Sequence, residues 1–312
     1  MGRKPRPFQS ILVPLDGSPL AEQILPLALE IARAARSKVR LVLVHQSPPP
    51  PMDPQSAQLY VSIDLAMRKV ERDYLATLRV RLHKSSGLQI SAVTIDGPAG
   101  PTLVKYVKEI GADLVVMSTH GRGGLRGAWL GSVADHLIRS LKIPVIVVRA
   151  REGAGALAEA PKIREILVPL DGSPLAEAAL APATDIAELF GAELLLVQVV
   201  WPVSAGNLLP VPFPSGYDNE IVGVQRKETQ EYLDGLVNDL QERGVGVKAT
   251  VVVGHNVAEA LLDLAHPQRI DLVVIATHGR GGVQRLLLGS VADKLIRGAG
   301  PPVLVVRPGK RQ

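Results

Sequence analysis

Cysteine is absent from the 312 residues, which excludes disulfides, thiolate metal sites and thiol chemistry. Aromatic residues are scarce at 3%, against a hydrophobic content of 46%. Any core must therefore be built from Val, Leu, Ile and Ala. No apolar run approaches the roughly eighteen residues that a membrane helix requires. The opening MGRKPRPFQS is basic without an apolar stretch, unlike a secretory signal. Arg6 stands where N-myristoylation needs Ser or Thr. The expectation is a soluble cytoplasmic protein with no membrane partner.

Several catalytic and nucleotide motifs are missing as well. There is no G-x-x-x-x-G-K-[ST], so the chain is not a P-loop NTPase. The G-x-G-x-x-G dinucleotide fingerprint fails because Arg126 and Gln284 occupy the place of its last glycine. G-x-S-x-G is absent too, and no serine nucleophile with a partnering His and Asp stands out.

What the chain has is a duplication. Ile11 to Glu22 (ILVPLDGSPLAE) returns unchanged as Ile166 to Glu177. THGRGG at Thr119–Gly124 recurs at Thr277–Gly282, and LGSVAD at Leu130–Asp135 recurs at Leu288–Asp293. A period this long marks a repeated domain rather than a solenoid. The expected domains are 8–149 and 162–308, joined by an Ala/Gly/Glu-rich linker at 150–161.

Charge is divided unevenly between the halves. Residues 1–150 carry 20 Lys+Arg against 11 Asp+Glu, and residues 151–312 carry 15 against 19. A basic half can meet a phosphate-rich partner. The simpler reading is a basic tail (Arg3, Lys4, Arg6) and a solvated helix bearing Arg68, Lys69, Arg72, Arg79 and Arg81. No nucleic-acid motif or stacking cluster accompanies the charge, so nucleic acid is not the expected partner.

Within one half, short Val/Ile/Leu runs alternate with helical patterns. Strands are expected at Ile11–Leu15, Val39–Val44, Leu88–Ile95, Asp113–Ser118 and Pro144–Val148, with helices over 19–36, 56–84, 99–111 and 132–141. The second half repeats this, with strands near 166–170, 193–199, 247–253, 271–276 and 302–306. Strands that are apolar almost throughout fit a parallel sheet covered on both faces, so the fold class is doubly wound α/β, twice over. Ser18 with Pro19 reads as a helix N-cap, and Ser132 with Asp135 as a short capping box; Ser173/Pro174 and Ser290/Asp293 repeat both. Proline-rich loops at Ser47–Pro54 and Trp201–Pro214 differ between the halves, so any difference between two sites is expected there.

The repeated blocks lie just beyond the first and fourth strands, where doubly wound sheets bind ligands. Gly121, Gly123, Gly124 and Gly131 permit close backbone approach, and the helix opened by Ser132 offers free N–H groups to phosphate. Arg122 and Arg126 can add charge-assisted contacts. Asp16 is suited instead to a base amine or ribose hydroxyl, or else closes an Asx-type turn with Gly17. Ser132 reads equally as a cap or a phosphate contact. His120 and His278 lack metal-ligand partners at helical spacing and read as loop-structuring residues.

These residues resemble the universal stress protein family in its tandem form. The marks are V-P-x-D-G-S after the first strand, Asp96-Gly97-Pro98-Ala99, and a loop G-x2-G-x9-G-[ST]. The second and third glycines of that loop are Gly121 and Gly131 before Ser132, and Gly279 and Gly289 before Ser290. Ser118 and Ala276 replace the first glycine. Ser118 adds a hydroxyl that needs a partner and Ala276 only a methyl, so the second half is expected to bind at least as well.

The resemblance implies five-stranded sheets of order 3-2-1-4-5, the last strands of the two halves meeting across a pseudo-twofold as an intramolecular pair. A further homodimer and any protein partner are left open. It also implies ATP (or ADP or AMP) in each half, with Mg2+ or Mn2+ held mainly by the phosphates and by no side chain alone. The implied nucleotide-binding residues of the first half are Leu15, Asp16, Gln46, Ser118, His120, Gly121, Arg122, Gly124, Gly131, Ser132, Val133 and Ala134. Those of the second are Leu170, Asp171, Val199, Ala276, His278, Gly279, Arg280, Gly282, Gly289, Ser290, Val291 and Ala292. The leading expectation is a nucleotide-binding stress-response or regulatory protein. The alternatives are a slow ATPase, for which only His120 and His278 offer a base, and a ligand-free scaffold. No catalytic residue is assigned.

Overall fold

Val-, Leu- and Ile-rich runs of four to eight residues become parallel strands, and the helices between them return the chain to the same sheet edge. The computed structural model describes residues 6–49, 52–53, 56–119, 130–150, 162–201, 217–266, 269–277 and 288–308, with the backbone alone for 217–221. The chain divides into two units, Met1–Pro161 and Lys162–Gln312.

In the N-terminal unit β1 (Ser10–Leu15) pairs in parallel with β2 (Lys38–His45) on one side and β4 (Leu114–Ser118) on the other. β2 continues to β3 (Ile90–Asp96) and β4 to β5 (Val145–Val148), giving the order β3-β2-β1-β4-β5. The C-terminal unit repeats it: β6 (Glu165–Leu170) lies between β7 (Glu193–Val200) and β9 (Leu272–Ala276), flanked by β8 (Val247–Val253) and β10 (Val303–Val306). Consecutive residues Ile11, Leu12 and Val13 are all fully buried, as are Leu114, Val115 and Val116. Since alternate side chains point to opposite faces, helices must cover both. Asp113 fastens the start of β1 by accepting from the Gln9 and Ser10 backbone N–H groups at 2.6 and 2.9 Å, and Asp271 does the same at Arg164 and Glu165.

The helices of the N-terminal unit are α1 (Pro19–Glu22), α2 (Leu25–Ala35), α3 (Ala57–Ser86), α4 (Ala99–Glu109) and α5 (Ser132–Ser140). Their counterparts are α6 (Pro174–Glu177), α7 (Leu180–Phe190), α8 (Tyr217–Glu242), α9 (Val257–Leu264) and α10 (Ser290–Gly298). The single helix expected over 19–36 is two. Pro26 has no N–H to give the Glu22 carbonyl, so the chain breaks after Glu22 and restarts at Leu25. Pro182 imposes the same break between α6 and α7. The caps at Ser18 and Ser173 form as expected, each hydroxyl accepting from the N–H three residues on at 3.2 Å. β2 also runs one residue beyond its expected end, to His45.

The helices α2 and α7 end in the left-handed conformation, at Arg36 with φ 57° and at Gly191 with φ 64°. A side chain is strained there and glycine is not. Arg36 is exposed. Arg36→Gly is therefore expected to stabilise the N-terminal unit by about 1 kcal/mol, seen as a higher urea midpoint with unchanged slope. An unchanged or lower midpoint counts against this account of the cap.

Candidate functional site

β1 ends at Leu15, and the chain turns at once. Asp16 Oδ1 accepts from the Ser18 backbone N–H at 2.9 Å and the Ser18 hydroxyl at 2.7 Å; Asp171 does so with Ser173 at 2.9 and 2.6 Å. The Asx turn left open by the sequence is therefore formed, and it holds each carboxylate at the C-terminal end of a central strand. Glu22, the last residue of the repeated block, accepts from Arg81 Nη2 at 2.5 Å, while Glu177 accepts from the Tyr232 hydroxyl at 2.9 Å. Tyr74 is half-buried with its hydroxyl out of solvent; burial, then the Glu22 and Asp16 carboxylates, push its phenol well above the usual range. The block thus reaches to Glu because its end docks the long helix α3 or α8.

The fourth strand delivers the second element. The Thr119 N–H donates to the Val148 carbonyl at 3.0 Å, and the Thr119 carbonyl accepts from the Gly131 N–H at 2.9 Å. A Cβ on Gly131 would lie 2.7 Å from that carbonyl oxygen, so only glycine allows the approach. Gly289 meets the Thr277 carbonyl with the same 2.9 Å bond, and its Cβ would lie at 3.0 Å. This corrects the capping expectation. Gly131 and Gly289 are the N-cap residues and neither makes a side-chain cap bond. Ser132 and Ser290 are the first helical residues, and no capping box forms. Asp135 and Asp293 turn to Arg139 and Arg297 one helical turn on, at 2.8 Å. The first N–H groups of α5 and α10 are left to other acceptors, which is where an anion is stabilised.

Between this helix end and the tips of β2 and β3 the N-terminal unit has a cleft of about 710 Å³. Gln46, Ser132 and Val133 of the expected set line it, with His45, Ser47, Arg68, Asp96, the run Gly97–Pro101 and His136. Arg68 is not the solvated surface charge its sequence context suggests. Its Nε donates to Asp64 Oδ2 at 2.7 Å, Nη1 to Asp96, and Nη2 to Ser47 Oγ at 3.4 Å. Arg68, His45 and Ser47 together hold the Asp64 carboxyl far below the usual carboxylate range. His45 is buried, with Nδ1 2.7 Å from Glu71 Oε2 and Nε2 2.9 Å from Asp64 Oδ1. Burial opposes its charge, but the two carboxylates outweigh burial and raise its pKa above the ordinary 6.5.

Of the other expected residues, Leu15, Asp16, Ser118, Gly131 and Ala134 gather at the ends of β1 and β4 and the start of α5, with Leu15, Ser118 and Ala134 buried. Leu170, Asp171, Ala276, Gly289, Ser290, Val291 and Ala292 take the matching places in the C-terminal unit. Val199 lies near the end of β7, and a Cβ on Gly254 would meet it at 3.7 Å. His120, Gly121, Arg122, Gly124, His278, Gly279, Arg280 and Gly282 lie outside the described residues, as do Gly123, Arg126 and most of the linker. Sequence reading missed His45, Asp64, Arg68, Glu71 and His136. The one legible signal was the Asp64/Arg68/Glu71 spacing, which puts three charges on one face of a helix. Among the described residues no helix is long and apolar enough to cross a membrane, and no group of three His, Cys, Asp or Glu could hold a metal ion.

Two doubly wound domains, each with a turn-held aspartate and a glycine-cradled helix start at the strand ends, define a duplicated α/β protein built on parallel sheets. The universal stress protein family model matches residues 7–149 and 162–307, and the chain belongs to that family. Universal stress protein Rv2005c of Mycobacterium tuberculosis is 29% identical over 311 residues, covering 97% of this chain and 99% of that one. Rv1996 of the same organism is 30% identical over 314 residues, covering 95% and 94%. The crystal structure of a universal stress protein from Archaeoglobus fulgidus matches with a TM-score of 0.68 over 96% of this chain and 99% of that one; at 17% identity it shows the fold alone.

Two expectations follow. Gly131→Ala should destabilise its unit by about 2 kcal/mol and Gly289→Ala by less, because the second contact is looser; melting of the two variants ranks them, and equal losses would contradict the cradle geometry. The raised His45 pKa stabilises the N-terminal unit fully below about pH 6.5, and that contribution disappears as pH rises through the folded value. The lowered Asp64 pKa stabilises above about pH 3.8 and fails as pH falls further. Amide exchange followed against pH should show protection at β2 and α3 declining on the alkaline side, with no matching decline at β7 and α8, where Val200 replaces His45.

Proposed function

We propose that this chain is an adenine-nucleotide-binding regulatory protein with one site in each unit and ATP as the preferred ligand. The observation that carries this is the duplicated cradle: Gly131 against the Thr119 carbonyl and Gly289 against Thr277, each opening a helix whose first N–H groups have no side-chain cap. Phosphates bind at such a helix start through backbone N–H groups and the helix dipole. In this reading the N–H groups of Ser132, Val133 and Ala134, and of Ser290, Val291 and Ala292, receive the phosphates. Asp16 and Asp171, fixed by their turns, accept from the base amine or ribose. Leu15, Gln46 and Ser118, with Leu170, Val199 and Ala276, complete the walls. Mg2+ or Mn2+ would travel with the phosphates, neutralising their charge. Two family domains in one chain fit an intramolecular pair.

Regulation rather than turnover is the better reading, because binding can bias a conformation without any base to activate water. The test begins with mass spectrometry for copurified nucleotide, followed by calorimetric titration of ATP and Mg2+ into the full chain. Binding is expected, with Gly131→Ala and Gly289→Ala each weakening one site and the C-terminal site binding at least as tightly. Circular dichroism of both variants separates lost binding from lost fold. No copurified nucleotide and no binding by the folded wild-type chain would overturn the proposal.

A further inference from the structure

His45 is 1% exposed and both its ring nitrogens meet carboxylates, Glu71 at 2.7 Å and Asp64 at 2.9 Å. An ionised carboxylate only accepts hydrogen bonds, so both nitrogens must donate, and neutral imidazole can donate only one. The geometry is that of an imidazolium bridging two acids. Asp64 carries the arrangement outward, because its other oxygen holds Arg68 Nε at 2.7 Å. Arg68 in turn stands in the cleft wall with Ser47 and Asp96, and Ser132 and Val133 at the helix start line the same cleft.

The C-terminal unit has replaced this assembly as a set. Gly97 and Gly254 each donate to the carbonyl at the end of the preceding strand at 3.1 Å, which places Val200 at the position of His45 and Val253 at that of Asp96. Helix α8 aligns with α3 through the buried pairs Leu75/Leu233 and Leu82/Leu240 and through Tyr74/Tyr232, each docked at the equivalent glutamate. That alignment puts Val222 at Asp64 and Thr229 at Glu71, while Arg226 keeps the arginine. Four ionisable partners are gone together and the arginine alone remains, now exposed. Removal of one acid alone would strand a buried charge, and the two units differ at the whole set.

We propose that protonated His45 is a positioning residue for nucleotide binding in the N-terminal unit: through Asp64 it fixes the Arg68 guanidinium in the cleft wall. Binding by this unit is then linked to uptake of the His45 proton, for which the C-terminal unit has no counterpart at Val200. The proposal rests on the nucleotide reading of the cleft. When the proton leaves, a ring lone pair faces a carboxylate oxygen at hydrogen-bond distance. Asp64, at 15% side-chain exposure against 8% for Glu71, is the freer to withdraw, and Arg68 moves with it. An anionic ligand also loses a nearby positive charge. The charged and titratable groups facing His45 are Asp64, Arg68 and Glu71 from α3 and Asp96 from β3, with Ser47 beside the ring. His136 of α5 lines the same cleft and packs on Gly100, so a His136 variant serves as the control.

Two measurements on the full chain test this. Without nucleotide, NMR of the histidine rings should show His45 titrating above the ordinary value, with the Arg68 Nε–H signal sharp below that pH and lost above it. Ordinary His45 titration, or an Arg68 signal indifferent to it, overturns the positioning role. Calorimetry with ATP and Mg2+ at about pH 6 and about pH 8.5 should then show one site weakening roughly tenfold more than the other. The triple variant H45V/D64V/E71T, which copies the C-terminal residues, should bind with both sites responding alike, whereas His136→Gln should keep the difference. Two wild-type sites that respond alike, or a triple variant that keeps the difference, overturns the proposal. Absence of binding at either pH overturns the nucleotide reading and the proton-linked binding with it. An Arg68 signal still tied to His45 then distinguishes that failure from a failure of the positioning.

Discussion

The contact on which the site depends is a backbone one: the Thr119 carbonyl bonded to the Gly131 N–H, with no room for a side chain between them. Thr119 is also bonded to β5 through Val148, so the helix start is fixed to two strands at once. The same pair of bonds recurs through Thr277, Gly289 and Val306. Because hydrogen bonds between backbone groups do not depend on side chains, the frame persists wherever glycine is kept. That accounts for the unchanged LGSVAD blocks better than any role for the serine hydroxyl, which caps nothing.

On this common frame the two units carry different walls. The β1 turn, the cradle and the acid docking the long helix are repeated, whereas the edge made by β2, β3 and the long helix is not. In the N-terminal unit that edge is an ionic chain from Glu71 through His45, Asp64 and Arg68 to Asp96. In the C-terminal unit valine stands at three of the corresponding places, Val200, Val222 and Val253, and threonine at a fourth, Thr229; Trp201 after β7 meets His255 edge-to-face at 6.3 Å between ring centroids. The inner end of that chain, His45 between Glu71 and Asp64, is buried and sensitive to the loss of either acid, while an apolar wall tolerates pH and salt. The duplication therefore yields one backbone frame with two electrostatic characters.

The fold was legible because its determinants are local and periodic. Apolar runs such as LVLV in β2 and LVVM in β4 declare buried parallel strands, and the strand order is what the family resemblance implies. Helix boundaries were legible where a side chain makes the cap, as at Ser18, and misread where backbone makes it, as at Ser132. The split between α1 and α2 rests on Pro26, which local pattern does not expose, since proline early in a helix is tolerated and only the register shows that it opens a second one. Of the candidate site, the repeated side was readable and the charged wall was not. His45 closes an apolar strand and looks like its polar terminus, and Arg68 looks like one of five basic residues on a solvated helix.

The sequence by itself determined that there are two domains, that each is a doubly wound sheet, and which backbone segments stand at the strand ends. Those follow from repetition and from the spacing of apolar and glycine residues along the chain, which need no knowledge of what lies across the fold. Only the tertiary structure decided that His45 is buried between acids 19 and 26 residues away, that Arg68 faces the cleft, and that the second unit has lost that arrangement as a set. Protonation and charge depend on what burial brings within about 3 Å of a group, and that neighbourhood is assembled from separate elements whose meeting no local pattern records.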